Sequence, residues 1–210
     1  DWTNQHVIGT ADLVIRPLFY TTNEVVLQAQ NFDILSVKLN GVTAQYNYDG
    51  SEISIISPKP LTRENNVDIR IDYIAKPNEG PVGGSAAISS DKGLFFINPL
   101  NEDPDKPRQI WTQGETENNS RWFPTVDKPN ERCTQEIYVT VENKFKSLSN
   151  GILVSSVNNN DGTRTDYWKQ DKPHAPYLFM LAIGEYAVAS DTWNGKPVDY
   201  YVEKEYAADA

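Results

Sequence analysis

Cysteine occurs once, at Cys133, methionine once, at Met180, and histidine twice, at His6 and His174. A single thiol excludes an intrachain disulfide. Two histidines so far apart exclude a His-Glu-x-x-His metal helix and a Cys/His finger. A Ser/His/Asp triad could draw on only one of them. Long apolar runs are also missing. The longest, Tyr177 to Ile183, falls far short of the roughly 20 residues of a membrane helix and reads as one buried strand. Basic residues are the minority, 19 against 29 acidic, giving a formal net charge of -10. That balance argues against nucleic-acid binding by phosphate neutralisation and against an anionic membrane, and no membrane insertion is expected. It leaves cationic ligands open, with plain solubility as the alternative meaning of the charge.

What the sequence does have is a period of two. Val7, Gly9, Ala11, Leu13 and Ile15 alternate with Ile8, Thr10, Asp12, Val14 and Arg16. Val67, Ile69, Ile71 and Tyr73 alternate with Asp68, Arg70 and Asp72, and Ile137, Val139 and Val141 with Tyr138, Thr140 and Glu142. Each pattern predicts a strand with one buried face. Further strands are expected near 24–30, 33–39, 43–48, 52–56, 93–97, 110–115, 152–157, 164–169, 177–186 and 198–202. Asn40-Gly41, Asp49-Gly50, Asn150-Gly151, Asp161-Gly162 and Asn194-Gly195 are hairpin dipeptides, because both residue types tolerate positive φ. No stretch of ten residues carries a helical period. Pro- and Gly-rich stretches at 76–90 and 98–108 predict long surface loops. The expected fold is all-β, a sandwich of many short, mostly antiparallel strands, with residues 1–210 forming a single domain.

Residues 109–133, QIWTQGETENNSRWFPTVDKPNERC, are the most unusual stretch. Gln113 and Glu115 are two apart, so on a continuous strand they point to the same side. A carboxylate and an amide oxygen on one face suit an ammonium group, which has three donors and no acceptor; a solvated strand face is the other reading. Arg121 and Asp127 are placed to form a charge pair, or a structural pin, across a turn bounded by Pro124 and Pro129. Asn158 to Gly162 lacks the alternating carboxylates and closing Glu of a calcium loop and reads as a hairpin. Asn118-Asn119-Ser120 is a glycosylation sequon, relevant only to an exported glycoprotein. His6 and His174 have no partner in motif spacing. Cys133 is expected to pack in the interior. The five Trp and eleven Tyr could fill a core or stack on sugar rings.

The same stretch resembles the aminopeptidase N family of zinc metallopeptidases. Gln113-Gly114-Glu115 is similar to that family's Gln-x-Glu strand. Arg121-Trp122-Phe123-Pro124-Thr125-Val126-Asp127-Lys128-Pro129 is similar to its R-x-F-P-x-x-D-x-P turn. Ile8-Gly9-Thr10-Ala11, Gly93-Leu94-Phe95-Phe96 and Tyr177 to Gly184 resemble further segments of its N-terminal domain, so the likeness spans nearly the whole chain.

The resemblance implies a large, curved, saddle-like β structure. It implies a thermolysin-like catalytic domain downstream of Ala210 that would carry the zinc, bound by a His-Glu-x-x-His helix and a later Glu. No catalytic residue and no metal ligand is expected within this chain, which would act as an excised N-terminal domain and be inactive alone. Its partners would be that catalytic domain and a peptide with a free N-terminus. Gln113 and Glu115 would reach the active-site cleft. There Glu115, with the Glu of an absent Gly-x-Met-Glu-Asn motif, would hold the substrate's α-amino group. Arg121, Phe123, Pro124, Asp127 and Pro129 would form the structural motif behind them. Gly114 stands where relatives often carry a larger side chain, which would alter the first specificity pocket. The competing readings are a carbohydrate-binding or adhesin-like β-sandwich, and a parent that has lost catalysis and kept the fold for binding. An exported or periplasmic bacterial location is favoured over a cytoplasmic one.

Overall fold

The computed structural model describes residues 1–80 and 91–210. Sixteen strands follow one another with only short 3₁₀ turns between some of them. The first seven are β1 (Val7–Ile15), β2 (Thr22–Gln28), β3 (Phe32–Leu39), β4 (Val42–Thr43), β5 (Gln45–Tyr48), β6 (Glu52–Leu61) and β7 (Val67–Ala75). Then come β8 (Gly93–Ile97), β9 (Gln109–Gln113), β10 (Cys133–Glu142), β11 (Lys146–Ser149) and β12 (Ile152–Asn158). The last four are β13 (Thr163–His174), β14 (Leu181–Gly184), β15 (Tyr186–Trp193) and β16 (Lys196–Glu203). The all-β expectation holds, and the hairpin dipeptides turn where expected. Asn40 and Gly41 both take positive φ between β3 and β4, as do Asn194 and Gly195 between β15 and β16. Of the long loop expected at 76–90, residues 81–90 lie outside the described residues; 98–108 carries no strand.

The chain divides into two compact units. The first comprises Asp1–Phe95, Gln113–Arg132 and His174–Leu178. It holds two antiparallel sheets, of order β1-β7-β3-β4 and β2-β6-β5. Alternation decides what is buried. Val67, Ile69, Ile71, Tyr73 and Ala75 of β7 point inward with Val37 and Leu39 of β3, and Leu27 of β2 and Ile53 and Ile55 of β6 join the same cluster. Each fully buried aliphatic side chain contributes about 1.5–3 kcal/mol. Tyr73 stacks on Phe32 with ring centroids 5.0 Å apart.

The second unit comprises Phe96–Thr112, Cys133–Pro173 and Phe179–Ala210. Its strands order as β10-β13-β12, β11-β14-β9 and β15-β16. Its polar centre is Asp166, which accepts hydrogen bonds from Ser147 and Ser156 at 2.5 Å each and from Arg164 at 2.9 and 3.1 Å. The Trp168 indole N–H donates to Ser147 Oγ at 3.0 Å, tying the hub to a buried aromatic.

Two expectations fail here. The run from Tyr177 to Ile183 is not one buried strand. Pro176–Leu178 forms a 3₁₀ turn, Leu178 is exposed, and the strand covers only Leu181–Gly184. Pro176 has no N–H for a ladder, and the chain leaves one unit for the other just after Leu178. Cys133 is exposed, because although it shares the face of buried Gln135 and Val141 it is the first residue of β10, at the uncovered end of the strand.

Asp166 yields a prediction. Burial pushes its carboxyl up, but the bonds from Arg164, Ser147 and Ser156 outweigh this and hold it below its ordinary value of 3.8. Its stabilising contribution is therefore complete above that value and lost as pH falls through the depressed folded pKa. Asp166→Ala, which strands the Arg164 guanidinium, should cost about 3 kcal/mol in urea unfolding at neutral pH. The variant should also lose less stability than the wild type between pH 4 and pH 2.

Candidate functional site

Of the unusual stretch, Gln113–Arg132 fold within the first unit, and their course departs from a continuous strand. Strand β9 ends at Gln113. Gly114 is buried, and Glu115 sits exposed in a turn that runs to Asn118. The Glu115–Thr116 peptide is cis. Strand alternation therefore does not align Gln113 with Glu115; the turn sets the direction of each. Gln113 is half-buried at the strand end, and Glu115 pairs with no cation among the described residues.

The turn is clamped by its backbone and by two glycines. Asn118 N–H donates to Gly114 O at 2.9 Å, and Asn118 Nδ2 donates to Glu115 O at 2.7 Å. A Cβ on Gly114 would collide with the Tyr177 carbonyl oxygen and lie 2.5 Å from Asn119 Nδ2. A Cβ on Gly93, which has φ +69°, would collide with the Asn118 carbonyl oxygen. The missing side chain at Gly114 thus opens no pocket. Backbone fills that space, which corrects the expectation that Gly114 reshapes a specificity pocket.

Behind the turn lies a buried polar layer. Asn119 Nδ2 donates to Pro176 O at 2.6 Å, and Asn119 Oδ1 accepts from the Trp122 indole N–H at 2.8 Å. Ser120 N–H donates to Asp127 Oδ2 at 2.8 Å. Asp127 N–H donates to Gln28 Oε1 at 3.0 Å, and Gln28 and Thr125 exchange backbone bonds of 2.8 and 3.1 Å. Gln30 Nε2 donates to Ser120 Oγ at 2.9 Å. The Tyr73 hydroxyl of β7 donates to Trp122 O at 3.1 Å, and Phe123 and Val126 pack on the aliphatic core.

Electrostatics follow from this burial. Desolvation pushes the Asp127 carboxyl up, only partly opposed by the Ser120 N–H and hydroxyl. Desolvation pulls the Arg121 guanidinium down, with Asp91 acting in the opposite sense. Among the described residues no ion pair joins Arg121 to Asp127, so the charge pair is absent; Asp127 accepts from the Ser120 amide through Oδ2 instead, while its Oδ1 has no hydrogen-bond partner among them. Of the remaining motif residues, Pro124 is buried and Pro129 is exposed in the turn after it. Glu117 is neutralised by Lys128 at 2.7 Å. The carboxylate that this turn offers to a cation is therefore Glu115.

Sequence reasoning missed Asn119 and Ser120, which are the structural centre of the turn and fully buried. Their sequon is correspondingly closed, since Asn118 is bonded to Glu115 O and Ser120 is packed inside. The signal that could have exposed them was their polarity directly before the Trp122-Phe123 pair. Among the described residues no three His, Cys, Asp or Glu side chains converge as metal ligands would.

Comparison with known proteins decides the family. The family model for the Peptidase M1 N-terminal domain matches residues 1–178. The chain belongs to that family. This M1 N-terminal domain is 24% identical to leucine aminopeptidase 2 of Aspergillus fumigatus over 90% of its length and 32% of the relative's. It is 24% identical to rat aminopeptidase B over 70% of its length and 20% of the relative's. It is also 22% identical to chicken transcription initiation factor TFIID subunit 2, over 92% of its length and 19% of the relative's. The domain thus spans about a fifth to a third of these relatives. In fold it is similar to a mutant M1 zinc metallopeptidase from Deinococcus radiodurans, with TM-score 0.72, 17% identity, and coverage of 93% of this chain and 42% of that one. It is likewise similar to Legionella pneumophila aminopeptidase A, with TM-score 0.73, 20% identity, and coverage of 95% and 22%.

The clamped turn predicts that Gly114→Ala destabilises the domain by about 2 kcal/mol or more, because backbone rather than a flexible side chain must yield. Gly41→Ala gives the contrast. It meets no atom within 4 Å, so its cost comes from positive φ alone and should be smaller, about 1 kcal/mol. Urea unfolding of both variants checks the order.

Proposed function

We propose that residues 1–210 serve as the N-terminal β domain of a zinc-dependent aminopeptidase and present Glu115 as an anchor for the free α-amino group of peptide substrates. The observation that carries this reading is an exposed carboxylate, with no ion pair among the described residues, projecting from a closely packed backbone turn. Two close-packed glycines and a buried polar layer hold the backbone from which Glu115 projects. Fixed geometry matters for recognition because an anchor that is already oriented loses little entropy on binding.

The chemistry of exopeptidase selection fits such a group. A free N-terminus carries an ammonium, whereas an internal residue presents a neutral amide. A carboxylate that is desolvated on binding rewards the cation and penalises its absence. Gln113, at the end of β9, adds an amide oxygen near the same chain segment. Solved structures of similar fold are zinc metallopeptidases, and in such a parent the zinc would be held by the catalytic domain. This domain's share of the work is positioning the substrate and walling one side of the cleft.

A second reading comes from the relatives themselves. One of them is named for transcription initiation rather than for peptidase activity, so the fold is compatible with a parent that binds and does not cleave. Zinc content and turnover of the full-length protein separate the two.

In the full-length protein, Glu115→Gln should lower kcat/KM on aminoacyl-nitroanilides by about 100-fold, corresponding to loss of a charge-assisted anchor. An unchanged kcat/KM would sink the amine-anchoring role. The 210-residue chain alone, supplemented with zinc, should show no turnover of the same substrates; measurable hydrolysis by it would place catalytic groups inside this domain.

A further inference from the structure

We infer that Asn119 and Asp127 are positioning residues, which control the recognition of a cationic N-terminus through the placement of Glu115 without touching the substrate. The inference rests on the amine-anchoring reading above.

Among the described residues the turn that carries Glu115 has two internal bonds, from Asn118 to Gly114 O and to Glu115 O. Beside the close packing at Gly93 and Gly114 and the Glu117–Lys128 pair, Asn119 and Ser120 tie its C-terminal end to the rest of the first unit. Asn119 works as a two-sided spacer, 2.6 Å from the Pro176 carbonyl and 2.8 Å from the Trp122 indole nitrogen. The first contact holds the segment whose next residue, Tyr177, closes over Gly114. The second ties the turn to Trp122, whose carbonyl is held by Tyr73 in the core. Asp127 grips Ser120 through its backbone N–H, and is itself seated on Gln28 of β2.

The choice of a carboxylate at 127 is informative. The residue is 1% exposed, and its Oδ1 has no hydrogen-bond partner among the described residues. Burying an ionised carboxylate costs several kcal/mol, and an incompletely bonded one is a poor contributor to stability. A neutral Asn could accept the same Ser120 N–H at lower cost. What the charge adds is a shorter, stiffer bond, roughly twice as strong as a neutral one. The arrangement therefore favours fixed geometry over stability, and what it fixes is the backbone leading out of the turn that carries Glu115. A displacement of about 1 Å in such an anchor is enough to cost up to 100-fold in catalytic efficiency.

The test uses the full-length protein and four forms of it: wild type, Glu115→Gln, Asp127→Asn and Ser120→Ala. The readout is competitive inhibition by L-leucinamide and by 4-methylpentanamide, the same amide without its amino group, alongside kcat/KM on an aminoacyl-nitroanilide. Circular dichroism and urea unfolding establish that each variant is folded. Asp127→Asn should weaken L-leucinamide by about 10-fold or more and leave 4-methylpentanamide unchanged, following the pattern of Glu115→Gln at smaller amplitude. Ser120→Ala, which removes only the hydroxyl that also faces Asp127, should show the same selective loss at about 3-fold or more, and decides the matter if Asp127→Asn does not fold. Folded variants that bind both amides as the wild type does would overturn the positioning role while Glu115→Gln still loses the amine. Equal weakening of both amides would also overturn it, since that reports general damage. If Glu115→Gln itself keeps its discrimination, the amine-anchoring reading falls and this inference falls with it.

Discussion

The bond from the Ser120 amide to the Asp127 carboxylate is the constraint around which the motif region is organised. It closes the segment from Ser120 to Asp127 into a compact turn whose outer residues are aromatic and whose inner ones are polar. Trp122 and Phe123 pack edge to face with centroids 4.6 Å apart. With the polar atoms bonded internally, these rings are free to join the aliphatic interior of the sandwich. Without that bond the buried Ser120 N–H would have no acceptor, at a cost of about 1–3 kcal/mol. The aromatic packing and the polar layer therefore depend on each other.

The same constraint explains how an ordinary β-sandwich comes to display a fixed acidic turn. The first unit supplies the floor: β2 through Gln28, the turn after it through Gln30, and β7 through Tyr73. Gln28 and Tyr73 are on strands for reasons of alternation alone, yet their polar ends meet the motif. Tyr73 is the clearest case. Its ring stacks on Phe32 in the core while its hydroxyl reaches the Trp122 carbonyl. An apolar body with a polar tip allows one residue to serve both the hydrophobic cluster and the hydrogen-bond layer.

Much of the fold was legible because its causes are local. The period of two in Val67 to Ala75 marks β7 residue by residue, and the Asn-Gly dipeptides place their turns through φ preference. Legibility failed where the cause was distant. Tyr177 to Ile183 has the apolarity of a strand, but Pro176 and the passage from one unit to the other break it. Cys133 has the composition of a core residue and the phase of the buried face, but it stands at the uncovered end of β10. The site was legible in part. Gln113, Glu115 and the Arg121 to Pro129 motif stand out by residue type and spacing. The assumption that Gln113 and Glu115 share a strand face did not survive, because β9 stops at Gln113.

The amino-acid sequence by itself determined the all-β class, most strand positions and the segment that carries the family motif. Each of these follows from alternation, turn chemistry or a recognisable motif, which are properties of neighbouring residues. Tertiary structure alone decided that Asp127 bonds a backbone amide and not Arg121, that Asn119 is the spacer of the turn, and that Gly93 and Gly114 exist to admit carbonyl oxygens. Those outcomes depend on which groups the fold brings within about 3 Å across long stretches of chain, and on how much water it removes from them. The order of residues along the chain carries no local record of either.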